Sequence, residues 1–469
     1  MRRPMFKPLF LAITCTGLAA CMPADIKPIN ATAEPPAGWQ RDQPSAPVTA
    51  NWLAQLQDVQ LQQLVSQALA DNRGLAQSRL QVEQARQQLV ISGAAQLPTL
   101  DLSSGISRAG SASGAGRSTA DSFSLEGRLS WQLDIWGQLD DQQRQAQLNL
   151  AAQQASLADA EQQLVRDLAR GWYQLQEAQL LQALFEQRRS NLQENLNLVQ
   201  ARYQQGLNSA LDIYLARNDL HAEQARISAQ QQTVLQARRA VEQLLGSYPA
   251  GQVRAEDTLP LLDSAIPAGL PAELVSRRPD LQASWLRLLA ADAAVAIAQK
   301  DRFPAITLTS NLGSRSDALA DLLQSGNLAW SLAGALSQSL FDGGRREALQ
   351  AQRLAERQQL EQGYLDTVYK AFEQVENLLS NHSALQQQYS FYVQARDNAE
   401  TAETLAFEQY QKGLANYTTV LESQRRAFDA RTSVIRLRSQ LLVNRVELYR
   451  ALGGDFNPAA AATESGNNA

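Results

Sequence analysis

An internal duplication is the feature that most constrains how this chain can fold. Residues of the first half recur in the second half in the same order, at an offset of about 206 residues. The order and spacing predict two copies of one structural unit, at 57–247 and 272–452, joined by a linker or equatorial region at 248–271. The matched pairs include Leu75 and Leu281, Ser78 and Ser284, Leu80 and Leu286, Ala85 and Ala291, Pro98 and Pro304, Leu129 and Leu336, Gly137 and Gly344, Tyr203 and Tyr410, and Gly206 and Gly413.

Each copy contains a long stretch without proline, which favours long helices. The chain has 16 prolines, but none lies between Pro98 and Pro249 or between Pro304 and Pro458. These stretches are rich in Gln, Ala, Leu, Arg and Glu, all good helix formers. Residues 138–203 alone would make a helix about 100 Å long. Apolar residues in this run recur near heptad spacing and predict coiled-coil hairpins; they are Leu164, Leu168, Leu175, Leu180, Leu181, Leu192, Leu196 and Val199.

The period changes from helical to two after the first proline of each copy. Apolar and polar residues alternate along Phe123–Ile135, and a shorter partner strand precedes a Gly/Ser-rich loop at 109–122. The second copy repeats the pattern, so we predict β-hairpins at about 99–136 and 304–341. Strands of about 10 residues with one apolar face are long enough to span an outer membrane, although a soluble hairpin with one buried face is the alternative. Trp131 and Trp136 near one end favour a lipid-facing aromatic girdle.

Four strands per chain cannot close a barrel, and lipid tolerates no open sheet edge. Two chains would give eight strands around a filled interior, whereas three chains would give twelve and leave room for a channel. The charged residues Glu126, Arg128 and Asp134 on the polar side favour water inside. We therefore predict a homotrimer: a mainly α protein whose coiled-coil hairpins form an α-barrel and whose four strands join a shared transmembrane β-barrel.

The N-terminus has the layout of a secretory signal. Residues 1–20 carry basic residues followed by a short apolar stretch, and the last three of them precede Cys21 in a run that resembles a lipobox. We predict a lipoprotein signal peptide at 1–20 and lipidation of Cys21; an ordinary signal peptide with a chance cysteine is the alternative. Met22, where an inner-membrane lipoprotein typically has Asp, favours the outer membrane. An extended N-terminal arm is expected at 21–56 and a flexible tail at 453–469.

Composition argues against several functional classes. The formal net charge is -5 and charged residues make up 19% of the chain, which argues against nucleic-acid binding. His221 and His382 stand apart, so we expect no metal site and no cofactor. No phosphate loop, Cys/His pair or serine elbow is present, so no enzyme activity is expected. After the leader we expect no transmembrane helix, because no run of about 20 apolar residues follows.

Taken together, these features resemble the outer membrane factor (TolC-like) family over nearly the whole mature chain. The features are the repeat, the hairpin after Pro98 and after Pro304, the turns at Gly206 and Gly413, and the lipobox. The resemblance implies an outer-membrane exit duct that extends into the periplasm. Such a trimer docks through a periplasmic adaptor (membrane fusion) protein onto an inner-membrane resistance-nodulation-division pump and exports drugs or other small toxic compounds. An outlet for type I secretion or metal-ion efflux and a structural periplasmic lipoprotein without a pore are the alternatives.

The resemblance also places the tips of the helical hairpins at the periplasmic end, where they meet the adaptor and narrow the pore. Many relatives carry an aspartate just after the second tip glycine, but this chain has Ala415 there and so departs from the pattern of an acidic ring. Asp212 either faces the lumen or caps a helix. We expect Tyr203 and Tyr410 to pack the tip as structural residues. The tip and gate candidates are Gly206, Leu207, Asn208, Asp212, Gly413, Leu414, Asn416 and Tyr417.

Overall fold

A computed structural model describes residues 28–31, 35–40, 51–113, 116–256, 258–261, 269 and 271–456. The leader, the lipidation candidate Cys21 and the tail from 457 onward lie outside the described residues. All structural statements below concern the described part of the chain.

The elements alternate in a pattern that occurs twice along the chain. Each half has a helix of 22 residues, a β-hairpin, a helix of 67 residues and a helix of 35 residues, in that order. The elements are α1 (Trp52–Gln55), α2 (Val59–Asp71), α3 (Arg73–Ala94), β1 (Thr99–Ser113), β2 (Gly116–Leu133), α4 (Gln138–Gln204), α5 (Ala210–Leu244), α6 (Pro271–Arg277), α7 (Pro279–Lys300), β3 (Ala305–Ser316), β4 (Leu328–Ser337), α8 (Arg345–Gln411) and α9 (Tyr417–Ala451).

The described residues form two compact units. The first contains the four strands and falls mainly in Gln81–Gln154 and Ala283–Asp366. The second is helical and includes Ala155–Gln282 and the residues from Thr367 onward. The two 67-residue helices contribute residues to both units.

The strands of the first unit form one antiparallel meander in the order β1-β2-β3-β4. Gly127 lies opposite Leu102 on β1 and Leu312 on β3, and Leu312 lies opposite Trp330 on β4. Because residues opposite each other point to the same side, the apolar positions of all four strands share one face and the polar positions share the other. The predicted alternation is confirmed.

The prediction of a Gly/Ser-rich loop at 109–122 was wrong. β1 and β2 continue through most of it, with pairs from Ala109 opposite Ala120 to Ser113 opposite Gly116. Small residues are poor strand formers, but the backbone ladder that begins at Thr99 and Ser130 in the same hairpin continues through them. Strands of 15 and 18 residues result, longer than the sequence suggested.

Two tryptophans fix the end of the sheet that joins the helices. The indole N–H of Trp131 donates to the carbonyl of Gln96 at 3.0 Å, and that of Trp136 donates to the carbonyl of Pro304 at 2.8 Å. Trp136 also stacks on Phe303, with ring centroids 5.0 Å apart. Both side chains are about two-fifths exposed, so each exposes part of its apolar ring while its indole N–H has a hydrogen-bond acceptor.

The heptad-spaced apolar residues of α4 are buried in the second unit as the coiled-coil pattern predicted, except Leu180, which is half-buried. Leu168, Leu175 and Val199 are fully buried, and Trp172 and Tyr173 between them are also fully buried. The buried positions recur along the helix at the spacing of one face. Long helices of modest average hydrophobicity therefore pack through a narrow apolar seam.

One helix bears on the expectation that no transmembrane helix follows the leader. Within the described residues, α7 is long and apolar enough to cross a membrane, with a mean hydropathy of 1.3 over its best window. Helices in the core of a protein pass the same test, and α7 has buried positions such as Leu288 and Val295. It also carries Asp292, which forms an ion pair of 2.9 Å with the buried Arg357 of α8. The many alanines with which α7 packs inside the unit explain its high mean hydropathy.

A buried carboxylate holds the chain that follows α5. Glu242 is 4% exposed and accepts backbone hydrogen bonds from Gly251 at 2.6 Å, Gln252 at 2.5 Å and Val253 at 3.0 Å. Burial acts to raise the pKa of Glu242, but the three backbone N–H donors outweigh it and lower that pKa. The Glu242 carboxylate thus accepts the hydrogen bonds that backbone carbonyls would accept if this irregular segment were a helix or a strand.

We predict that Glu242→Gln lowers the thermal unfolding midpoint at neutral pH. A carboxamide cannot accept at both of its polar atoms, so at least one buried N–H loses its acceptor, at a cost of about 1–3 kcal/mol. Since the folded-state pKa of Glu242 is lowered, its stabilisation is complete above its ordinary value of 4.5 and is lost as pH falls below it. The wild-type advantage over the variant should therefore shrink in acid. Glu194→Gln on the exposed side of α4 is the control; equal midpoints for both variants would contradict the prediction.

Candidate functional site at the hairpin tips

The helical hairpins of both copies turn through the same hydrogen-bonded motif. Gly206 has a φ of +72°, and its N–H donates to the carbonyl of Tyr203 at 2.9 Å. The N–H of Leu207 then donates to the carbonyl of Arg202 at 2.9 Å. Gly413, with a φ of +75°, ends α8 in the same way. This is the Schellman arrangement, which needs a left-handed residue and therefore favours glycine.

The helix after each tip is capped by a side chain at its N-terminus. Ser209 and Asp212 form a capping box: the Ser209 N–H donates to the Asp212 carboxylate at 3.1 Å, and the Asp212 N–H donates to the Ser209 hydroxyl at 3.4 Å. At the second tip the side chain of Asn416 accepts from the N–H of Thr419 at 3.0 Å. Of the two interpretations of Asp212, the structure shows the capping role.

Side chains tie the first tip to the second. The Asn208 side-chain amide donates to the Tyr410 hydroxyl at 2.8 Å, and Arg202 donates to the Asn208 side-chain oxygen at 3.1 Å. The Arg202 guanidinium lies over the Tyr410 ring at 4.7 Å and donates to the carbonyls of Tyr410 and Gln411, each at 3.4 Å. Cationic donors at a helix C-terminus also oppose the negative end of its dipole. We call these contacts of Arg202, Asn208, Tyr410 and Gln411 the tip clasp.

An apolar cluster lies beneath the tip clasp. Tyr410 and Tyr417 are each 3% exposed, and their rings lie 5.7 Å apart in a tilted arrangement. Burial raises the pKa of Tyr417, and the nearby negative charge of Asp219 adds to the rise, so the phenol stays neutral. The predicted tip residue Tyr417 is therefore a packing residue. The cluster comprises Leu192, Leu196, Val199, Ala216, Leu220, Tyr410, Tyr417 and Val420.

The two tip tyrosines are not equivalent, which contradicts the expectation that both pack the tip. Tyr410 is buried, whereas Tyr203 is 46% exposed. Tyr410 lies between Arg202 and Tyr417, while the corresponding environment is absent around Tyr203 among the described residues. The leucines after the two turn glycines, Leu207 and Leu414, are both more than three-fifths exposed. Each hairpin tip thus exposes a leucine.

Sequence analysis missed two residues of this site. Ser209 is the N-cap of α5, and the Ser-x-x-Asp spacing that it forms with Asp212 was a usable signal. Arg202 was identifiable only as a basic residue in the last turn of a helix. Its contact with Tyr410 joins residues 208 positions apart and cannot be read from local spacing.

A second set of charges couples the same helices further from the tips. Glu223 of α5 is 2% exposed and lies 3.5 Å from Arg188 of α4 and 3.3 Å from Arg226. Arg188 also lies 4.1 Å over the ring of Phe428 on α9, which packs against Phe185. Burial raises the pKa of Glu223, and the two arginines oppose that rise. A buried carboxylate and its arginine partners therefore hold α4, α5 and α9 in one arrangement.

No group of three or more His, Cys, Asp or Glu residues able to hold a metal ion occurs among the residues that the structure describes. His221 is exposed and lies 3.2 Å from the side-chain oxygen of Gln224. His382 is partly buried, and burial lowers its pKa, with the nearby Arg445 adding to that effect.

We predict that Tyr410→Phe loosens the hairpin tips. The variant keeps the ring but leaves the Asn208 amide without its acceptor, at a cost of about 1 kcal/mol, which should raise local opening about fivefold. Amide hydrogen exchange over residues 202–212 measures this opening. Tyr203→Phe is the matched control, because it removes the same hydroxyl from the exposed tyrosine at the corresponding position of the first copy. Equal exchange in both variants would show that the tip clasp does not hold the tips.

Comparison with known proteins places this geometry in a family. The family model described as outer membrane efflux protein matches residues 64–247 and 270–454. Outer membrane protein OprJ of Pseudomonas aeruginosa is 30% identical over 470 residues, covering 97% of each chain. Cation efflux system protein CusC of Escherichia coli is 29% identical, covering 87% of this chain and 88% of that protein. The solved structure of the outer-membrane channel OprN is 25% identical with a TM-score of 0.83, covering 93% of this chain and 100% of that one.

These matches cover both copies of the duplicated unit, and they confirm the predicted fold class of helical hairpins combined with strands of an outer-membrane barrel. They also identify the protein as an exit duct for efflux that is located in the outer membrane. The chain belongs to the outer membrane efflux protein family.

Proposed function

We propose that this chain is the outer-membrane component of a tripartite efflux system that exports drugs or other small toxic compounds. One observation carries the proposal: the same chain combines a sheet with one mainly apolar face and two 67-residue helices that end in linked hairpin tips. A sheet of this kind suits a bilayer. Helices of that length extend about 100 Å, which is long enough to carry the duct far from the membrane.

The proposed partners follow from two features: the open edges of the sheet and the exposed leucines at the hairpin tips. β1 and β4 are the edge strands of the described sheet, and an open edge in lipid would leave backbone groups without partners. We propose that three copies close the edges as a homotrimer in outer-membrane lipid. The exposed Leu207 and Leu414 at the tips are the proposed contact for a periplasmic adaptor, which links the duct to an inner-membrane resistance-nodulation-division pump.

We infer that the duct acts by geometry and carries out no reaction. The closed tip is held by the tip clasp and by the apolar cluster beneath it. Each hydrogen bond of the clasp contributes about 1 kcal/mol, so contacts with a docked adaptor can offset its loss. Opening is then a separation of the two hairpin tips around Arg202 and Tyr410. The gate candidates are Gly206, Leu207, Asn208, Asp212, Gly413, Leu414, Asn416 and Tyr417, of which Asp212 and Asn416 act as helix caps.

Export of metal ions is the second candidate function, since one similar protein is a cation efflux system protein. No acidic residue follows Gly413 directly: Leu414, Ala415 and Asn416 occupy those positions. That absence of negative charge favours small organic compounds over cations at the second tip. Susceptibility of a deletion strain to drugs and to transition-metal ions, with and without the gene restored, separates the two.

We predict that Gly413→Val abolishes efflux but leaves the assembled protein intact. A Cβ at Gly413 would meet nothing within 4 Å, so the variant acts only through the backbone, where a φ of +75° costs a β-branched residue about 1–3 kcal/mol. Drug susceptibility of a deletion strain carrying the variant should match that of the empty strain. Gly363→Val is the control, because it also has open space but lies within the regular helix α8. Wild-type resistance with Gly413→Val would refute the gate assignment.

We propose that Cys21 carries the lipid and that the chain before it is removed. Cys21→Ser should then give either an unprocessed protein, heavier than wild type by a defined mass, or an unlipidated one, lighter by a defined mass. Intact-mass measurement of the purified protein checks this, and equal masses apart from the substitution itself would rule out lipidation. We further propose that 57–247 and 272–452 are the structural repeats of the duct and that 248–271 joins them.

A further inference from the structure

A small cavity lies in the second unit, between the linker segment 258–261 and the helices α8 and α9. Its apolar wall consists of Pro260 and Leu261 of the linker and of Leu441 and Leu442 of α9. The cavity measures about 150 Å³ and is partly open to solvent. We call it the linker cavity.

The polar side of the linker cavity carries nitrogen donors. Arg438 and Arg445 of α9 and His382 and Gln386 of α8 line it. The Nε atom of Arg438 and the Nδ1 atom of His382 are buried, and neither has a hydrogen-bond partner among the described residues. Buried polar atoms normally have partners, so two such atoms at one cavity point to a ligand that carries acceptor atoms.

The linker cavity lies in a region where positive charge is not balanced along the helices. α8 has no acidic residue from 377 to 396, and α9 has none from 430 to 446. The next acid along α9, Glu447, lies 3.9 Å from Arg170 of α4. The described residues that line the cavity include two arginines and no carboxylate. The cavity therefore repels a cation and attracts an anion.

The size of the linker cavity and its apolar wall narrow the class of anion. A cavity of about 150 Å³ admits a benzene-sized molecule. Inorganic phosphate or sulfate would place oxygen atoms without donors against the apolar wall, which costs free energy. An organic acid avoids this cost, because its carboxylate accepts from arginine N–H groups while its apolar part contacts the leucine and proline side chains.

We propose that the linker cavity binds a small organic acid, with its carboxylate at Arg438 and Arg445 and its apolar body against the leucines of the wall. Arg445 is 3% exposed, and its Nε donates to the Tyr449 hydroxyl at 3.2 Å, which holds the guanidinium in place. Burial and the nearby Arg445 lower the pKa of His382, so the imidazole is neutral at pH 7 and adds a polar contact without a charge. The bound acid joins α8, α9 and the linker. The site lies apart from the hairpin tips, and binding there does not depend on the proposed function.

Benzoate is the probe that tests the proposal, because it combines a carboxylate with an apolar ring of suitable size. Titration calorimetry at pH 7 on the assembled full-length protein should show one saturable site per chain. Benzyl alcohol has the ring without the charge, and acetate has the charge without the ring, so each should bind at least about tenfold more weakly. No saturable binding of benzoate, or equally tight binding of benzyl alcohol or acetate, would overturn the proposal.

Two variants with matched controls locate the site. Arg438→Met removes the guanidinium and keeps the apolar stem, and Gln386→Glu adds a carboxylate to the cavity wall; each should weaken benzoate binding at least about tenfold. Arg436→Met is the control for the first variant, since Arg436 is two residues away and interacts with Glu177 of α4. Gln387→Glu is the control for the second, since Gln387 is exposed and does not line the cavity. Both controls should keep the wild-type affinity.

A third variant asks whether the chain itself supplies the anion. Asp263 lies outside the described residues and is the nearest acid to Leu261 along the chain. Asp263→Asn should leave the benzoate affinity unchanged. Tighter binding in this variant would show that a carboxylate of the chain occupies the linker cavity, and the proposal would then be wrong. It would also be wrong if Arg438→Met and Gln386→Glu kept the wild-type affinity, or if each control lost as much as its partner.

Discussion

The structure depends on the requirement that no backbone N–H or carbonyl be left without a partner in lipid. Four antiparallel strands satisfy each other internally but leave β1 and β4 as edges. Closure of these edges by further copies of the chain belongs to the proposed function, and the duplication within the chain already supplies two hairpins in one meander. β2 belongs to the first internal repeat and β3 to the second. Their pairing joins the two halves of the chain into a single sheet.

The same chain must pass from strand to helix at the membrane boundary, and a few polar contacts make that passage possible. Gly137 has a φ of +71° directly before α4, and its carbonyl accepts from the Lys300 ammonium at 3.0 Å. Lys300 also forms an ion pair of 2.6 Å with Asp141. Together with the hydrogen bonds of Trp131 and Trp136, these contacts satisfy the polar groups where regular pairing stops.

The two internal repeats share the same backbone conformation at the tips, but their tip side chains have different roles. Both turns use glycine and both following helices are capped, yet only Tyr410 is buried and bonded across to the other tip. Its counterpart Tyr203 remains exposed. A duplicated backbone motif thus holds each hairpin, whereas the contact that closes one hairpin on the other uses residues that differ in role between the copies.

The sequence by itself determined the elements, because their causes are local: proline placement, heptad leucines, the alternation along Phe123–Leu133 and the turn glycines Gly206 and Gly413 act within a few residues of one another. The sequence-based prediction failed where strand pairing outweighs intrinsic strand propensity. The Gly/Ser-rich strand ends near Ala109 are the example: they extend because they continue an existing ladder of backbone hydrogen bonds. Only the tertiary structure decided the tip clasp and the exposure of Tyr203, since each depends on side chains from segments far apart in the chain. The contact of Arg202 with Tyr410 arises from how helices are placed side by side, and no local pattern encodes that placement.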